Sequence, residues 1–259
     1  MADADSSPAV AVERALNILE ATSQRRDGMT NSELSRRLGI PKSSASYILR
    51  TLERRGYLRR HAESGRYRLG LKLLSLGGEA QASLDLADVA LPFMRGLVER
   101  VGLTCHLAVL DKDEAVYIEK VEAPGFFKVN TWIGRRMFLH STSVGKALLA
   151  WLPRVDVEPL LREQSFKKRT PKTITSISRL VAELERVRQH GYAVDDEENS
   201  LGARCIGAPI FDALGAVVAA IGVSGTLSQV DHTKLPRVAE AVKETSRKIS
   251  RQLAKTGAV

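Results

Sequence analysis

Thr30-Asn31-Ser32-Glu33-Leu34-Ser35-Arg36-Arg37-Leu38-Gly39-Ile40-Pro41-Lys42-Ser43-Ser44-Ala45-Ser46-Tyr47-Ile48-Leu49-Arg50-Thr51-Leu52 contains two helices and the turn between them. Thr30 and Glu33 have capping-box spacing, in which a hydroxyl and a carboxylate satisfy amide hydrogens left over at a helix start. Leu34 and Leu38 then share one face, and Gly39 ends the helix by accepting a left-handed backbone. Pro41 costs nothing at the start of the next helix, where Ala45, Ile48, Leu49 and Leu52 recur at i, i+3, i+4 and i+7. The opposite face offers Lys42, Ser43, Ser44, Ser46, Tyr47 and Arg50. Short donors let such a helix approach a duplex closely, while Tyr47 and Arg50 are long enough to reach base edges.

Working outward, Val12, Ala15, Leu16, Ile18 and Leu19 give the preceding stretch, Val10 to Ser23, the buried face of a first helix. On the other side, Tyr57 to Arg60 and Arg66 to Leu69 alternate around Glu63-Ser64-Gly65, predicting a hairpin on which Arg59, Arg66 and Arg68 project together. Helix, capped helix, turn, longer helix and basic hairpin together read as a winged helix-turn-helix over residues 10–70, the longer helix in the major groove and the wing on flanking DNA.

Charge supports that assignment. Between Leu34 and Lys72 eleven basic residues face only Glu53 and Glu63, an excess equal to the chain's whole formal net charge of +9. Such a concentrated field attracts a polyanion, and contact with its phosphates releases counterions. At 259 residues the chain is long enough for two cores, and no apolar run is long enough to cross a membrane. Residues 1–9 carry Asp3 and Asp5 instead of a basic, then apolar, leader and are expected to form a loose tail. Two distant cysteines, Cys105 and Cys205, fit a reduced cytoplasm.

Residues 71–84 place leucines in a helical pattern, a linker whose apolar face suits either a second copy of the chain or packing within its own. From 85 to 259 strands and helices mix without strict alternation. Asp85 to Arg100 is helical; His106 to Leu110 and Ala115 to Val121 form a hairpin; Lys128 to Trp132 is a further β-prone run. Helices are expected over Ser143 to Leu152, Leu180 to Gln189 and Thr233 to Leu253, with a second hairpin from Arg204 to Phe211 and Val217 to Ser224. The class is α+β with an antiparallel sheet.

Several segments together carry a family resemblance. Ser32-Glu33-Leu34-Ser35-Arg36-Arg37-Leu38-Gly39-Ile40-Pro41-Lys42-Ser43, Leu52 to Leu58 and Gly65-Arg66-Tyr67-Arg68-Leu69-Gly70 in the first half resemble the IclR family of bacterial transcription regulators. So do Gly145-Lys146-Ala147-Leu148-Leu149-Ala150, Gly191 to Glu198 and Arg204 to Asp212 in the second. The resemblance implies a GAF-like effector-binding domain for small organic acids or aromatic metabolites, a double-stranded DNA operator as partner, a repressor somewhat more than an activator, and dimers or dimers of dimers. It places polar effector contacts on the Ser143-Val144 backbone, Asp195, Cys205 and Ser224, with apolar lining near Phe126, Val129 and Met137. Gly222 stands where the family often has serine, and Tyr47 where arginine is usual.

Catalytic chemistry finds little footing. His106 and His140 lack partners at metal-ligand spacing, Cys205 has no sequence-evident base beside it, and Gly77-Gly78 is no dinucleotide fingerprint. No metal, cofactor or catalytic residue is expected. The competing reading is a metabolite-binding enzyme whose basic module is incidental.

Overall fold

The computed structural model describes residues 8–82, 85–125, 128–163 and 166–256. The chain divides into two compact units, residues 1–83 and 84–259. In the first, α1 (Pro8–Ser23) starts inside the expected tail, since proline's missing amide is harmless at a helix start. Residues 1–7 of that tail lie outside the described residues. The capping box of α2 (Asn31–Leu38) is formed: Glu33 N donates to Thr30 Oγ1 at 3.2 Å and Thr30 N to Glu33 Oε2 at 2.7 Å. Gly39 then takes φ 64°, and Pro41 precedes α3 (Lys42–Arg54).

The small core joins Ile18, Leu34, Ala45, Leu49 and Leu58, one cluster drawn from three helices and the hairpin. Each fully buried aliphatic side chain of this kind is worth about 1.5–3 kcal/mol. The hairpin is β1 (Leu58–Arg60) against β2 (Tyr67–Leu69), and Met29 bridges to Tyr67 on the far edge of β2. The linker helix α4 (Leu71–Ala82) exposes Leu71 and Leu74; residues 83–84 of the expected linker lie outside the described residues.

The second unit has three layers. One six-stranded antiparallel sheet runs in the order β5-β4-β3-β8-β7-β6. Its strands are β3 (Thr104–Asp111), β4 (Glu114–Val121), β5 (Arg136–Phe138), β6 (Ala193–Asp196), β7 (Ala203–Phe211) and β8 (Val217–Thr226). Alternate residues point to opposite faces. Leu107, Ile206, Ala208, Ile221 and Val223 pack against α5 (Asp85–Val101) and α9 (Leu235–Thr256). Ala108, Ala115, Met137 and Ala220 face α6 (Ser143–Leu149) and α8 (Ile177–His190).

Some expectations need correction. Lys128 to Trp132 is not a strand. Its carbonyls are taken by a side chain, with Lys120 Nζ donating to Thr131 O at 2.8 Å and Val129 O at 3.3 Å, so side-chain capture overrides β propensity. The strand beyond it is Arg136–Phe138. α6 stops at Leu149 instead of Leu152, ahead of Pro153. α7 (Arg154–Glu163) and the four-residue edge strand β6 were not anticipated: Pro159 breaks the pattern of the first, and the acids of Ala193-Val194-Asp195-Asp196 hide the second.

Candidate functional site

Two sites occupy the two units. On α3, Ala45, Ile48 and Leu49 are buried, so the helical period turns Lys42, Ser43, Tyr47 and Arg50 outward, with Ser44 and Ser46 half-buried at the edges. Tyr47 is 70% exposed, unusual for so large a ring and suited to a contact surface. In the hairpin, Arg59 pairs directly with Arg68, on the face opposite buried Leu58 and Tyr67. Arg66 does not project with them, contrary to the sequence expectation. Its Nη1 donates to Gly28 O at 2.8 Å, and its two Nη groups reach the two oxygens of Glu33 at 3.1 Å each. Residue 66 lies just before β2, outside the alternation that was used to place it.

In the second unit a cavity of about 340 Å³ opens on the α6 side of the sheet. Val129, Met137, Ser143, Val144, Asp195, Cys205 and Ser224 all line it; Phe126 lies outside the described residues. The sheet register explains their meeting. Asp195 is paired with Cys205, and Cys205 with Ser224, so three neighbouring strands set one side chain each in a row across the cavity wall. In the adjacent row Gly207 pairs with Gly222. A Cβ on Gly207 would lie 2.8 Å from Ser143 C and O, and one on Gly222 would lie 2.8 Å from Val144 Cγ1. The absent side chains let the start of α6 press onto the sheet, so a serine at Gly222 would collide with Val144.

Electrostatics make this wall a mostly neutral donor surface. Burial raises the Asp195 carboxyl to about 7; Glu198 pushes it further up, while amide donation from Asn199 and Glu198 and the charge of Lys146 pull it down. Burial also pushes the Cys205 thiol up, assisted by Asp195 and opposed by its hydrogen bond with Ser224. His106, held down near 3 by burial and by the charges of Lys120 and Arg135, is a neutral ring stacked on Tyr117 at 4.5 Å, with Nε2 2.7 Å from Thr131 Oγ1.

Sequence reasoning missed His106, Thr131, Lys128 and Arg135 as cavity lining. The strand assigned to 128–132 concealed that this segment wraps the cavity, and no local periodicity marks it. It also missed the support beneath. Lys146 is fully buried on α6, its Nζ donating to Glu198 Oε1 at 2.5 Å, Val194 O at 2.5 Å and Glu183 Oε1 at 3.1 Å. It ties α6 to α8 and to the turn whose amides hold Asp195. The only signal was a lysine amid apolar residues in Ala147-Leu148-Leu149-Ala150.

Comparison with known proteins gives matches along most of the chain. A model of the IclR helix-turn-helix domain matches residues 11–62, and one of the bacterial transcriptional regulator IclR C-terminal domain matches residues 79–251. The chain is similar to the HTH-type transcriptional regulator KdgR of Escherichia coli (strain K12), 37% identical over 255 residues that cover 97% of this chain and 96% of KdgR. It is 31% identical over 245 residues to the HTH-type transcriptional repressor AllR of the same strain, covering 95% and 90%. Among solved structures it is similar to an IclR homolog complexed with 4-hydroxybenzoate from Microbacterium hydrocarbonoxydans, with TM-score 0.81, 26% identity and coverage of 95% and 99%.

Proposed function

This chain belongs to the IclR family of bacterial transcriptional regulators, DNA-binding proteins under effector control, and from that premise we propose which residues read DNA and what the effector is. Lys42, Ser43, Ser44, Ser46, Tyr47 and Arg50 on α3 face the major groove, while Arg59 and Arg68 meet flanking phosphate. The effector is a small organic or aromatic carboxylate. The cavity wall carries this reading: Arg135 brings positive charge beside the neutral donors Cys205 and Ser224 and an Asp195 carboxyl raised by burial, while Lys128 is paired with Glu122. The 4-hydroxybenzoate in the structural relative is an acid of the same class. Repression is the direction of control, as in the name of AllR.

Two copies act together, brought into contact by the exposed Leu71 and Leu74 of α4, and read paired half-sites one helical turn apart. Effector binding favours one arrangement of the pair, so operator affinity falls by population shift.

The test uses a duplex selected from a random pool by the wild-type protein. Arg50→Ala is expected to weaken binding to it by about 1–3 kcal/mol while thermal stabilisation by 4-hydroxybenzoate and related carboxylates persists. Unchanged duplex affinity refutes the docking of α3. A panel of carboxylates that neither raises the melting temperature nor releases DNA refutes the effector assignment.

A further inference from the structure

We propose that Arg66 is a positioning residue of the DNA interface, locking the wing that carries Arg59 and Arg68 to the capped start of α2. The inference rests on the DNA-binding reading above and divides labour among three arginines that look alike in sequence.

The fork of Arg66 is already occupied. Nη1 and Nη2 each lie 3.1 Å from a Glu33 oxygen, and Nη1 also donates to Gly28 O at 2.8 Å. Glu33 is itself fixed, accepting at Oε2 from Thr30 N at 2.7 Å and Thr30 Oγ1 at 3.0 Å. Those Thr30 bonds, with Arg66 after them, hold its carboxyl below the ordinary range, so the partner of Arg66 is an ionised and oriented carboxylate. One carboxylate therefore caps α2 and anchors the wing. The seam beside it is closed by backbone, Met29 N donating to Tyr67 O at 3.0 Å and Tyr67 N to Met29 O at 2.8 Å. A guanidinium spent in this way on carboxylate and carbonyl displaces few counterions when DNA arrives.

Arg59 and Arg68 are in the opposite condition. They are paired directly across the hairpin on its outward face, where like charges repel. A phosphate between them relieves the repulsion and supplies acceptors. Arg66 fixes where along the backbone that pair meets it.

The experiment measures affinity for the selected duplex across a salt series for wild type, R59A, R68A, R66A, R66K, E33Q and the R66A/E33Q double variant. R59A and R68A should each lower the steepness of log K against log salt by about 1. E33Q removes no cation, and glutamine still accepts from the Thr30 amide, so the cap survives. It should nevertheless weaken binding by about tenfold, with a salt slope no shallower than that of the wild type, because the wing loses its preorganisation while the charge of Arg66 is retained. R66A and R66K should match it, since lysine lacks the planar fork, and the double variant should be no worse than either single one. E33Q binding like wild type, or R66A flattening the salt slope as much as R59A, overturns the inference alone. A wild-type protein that recovers no duplex overturns the DNA reading and this inference together.

Discussion

Replacing Asp195 by asparagine isolates the energetic cost of placing a carboxyl in the cavity wall. Asparagine keeps the shape and an oxygen able to accept from the amides of Glu198 and Asn199, 2.8 and 3.2 Å away, but it cannot ionise. The folded protein holds Asp195 near 7 against an ordinary 3.8. Each pKa unit corresponds to ~1.4 kcal/mol, so keeping the ionised group buried costs about 4 kcal/mol at full ionisation. A carboxyl raised on folding binds more protons in the native than in the unfolded state, so its contribution is intact below about pH 4, declines as pH rises and is lost above about pH 7. Glu198 and Lys146, whose charges act on Asp195, are retained in the variant. Urea unfolding of wild type and Asp195→Asn at about pH 5 and about pH 8 should therefore show the gap growing by about 3 kcal/mol in favour of asparagine. A gap that stays constant or shrinks refutes the desolvated carboxyl in the cavity wall. The same protonation makes carboxylate binding by wild type weaken above neutral pH, and isothermal titration should show proton uptake on binding that disappears in the variant.

Gly207→Val should cost about 1–3 kcal/mol in chemical denaturation and abolish carboxylate-induced stabilisation, because its side chain would push the start of α6 off the sheet. Lys146→Met should cost about 3–5 kcal/mol by leaving Glu198 and Glu183 without their buried cation; adding Glu198→Gln should restore part of that loss. Tyr47→Ala should change melting by the equivalent of about 0.5 kcal/mol or less, the ring being 70% exposed, while altering which sequences are recovered from a random duplex pool. Equal recovery by both proteins would remove Tyr47 from the reading surface.

What was legible in the sequence follows from the range of the interactions involved. The capping box at Thr30, the stop at Gly39 and the apolar stripe of α3 depend on residues within two turns of one another, and each is present in the fold. Asp195, Cys205 and Ser224 were named only through family resemblance, since their meeting depends on register between strands far apart in the chain. The segment 128–132 misled because its β-prone residues spend their carbonyls on Lys120. Arg66 misled for a related reason: alternation says which way a side chain starts, whereas a carboxylate 33 residues earlier decides where it ends.

The row of three residues across β6, β7 and β8 has a bearing on how such a sensor changes its chemical preference over time. The residues flanking each member in sequence point to the other layer, where Ile206 and Val223 belong to the core beneath α5 and α9. Under the proposed effector assignment, a new side chain at any rung would retune what is recognised while the hydrophobic foundation on the reverse stays in place, so ligand preference would drift one strand at a time without refolding the domain.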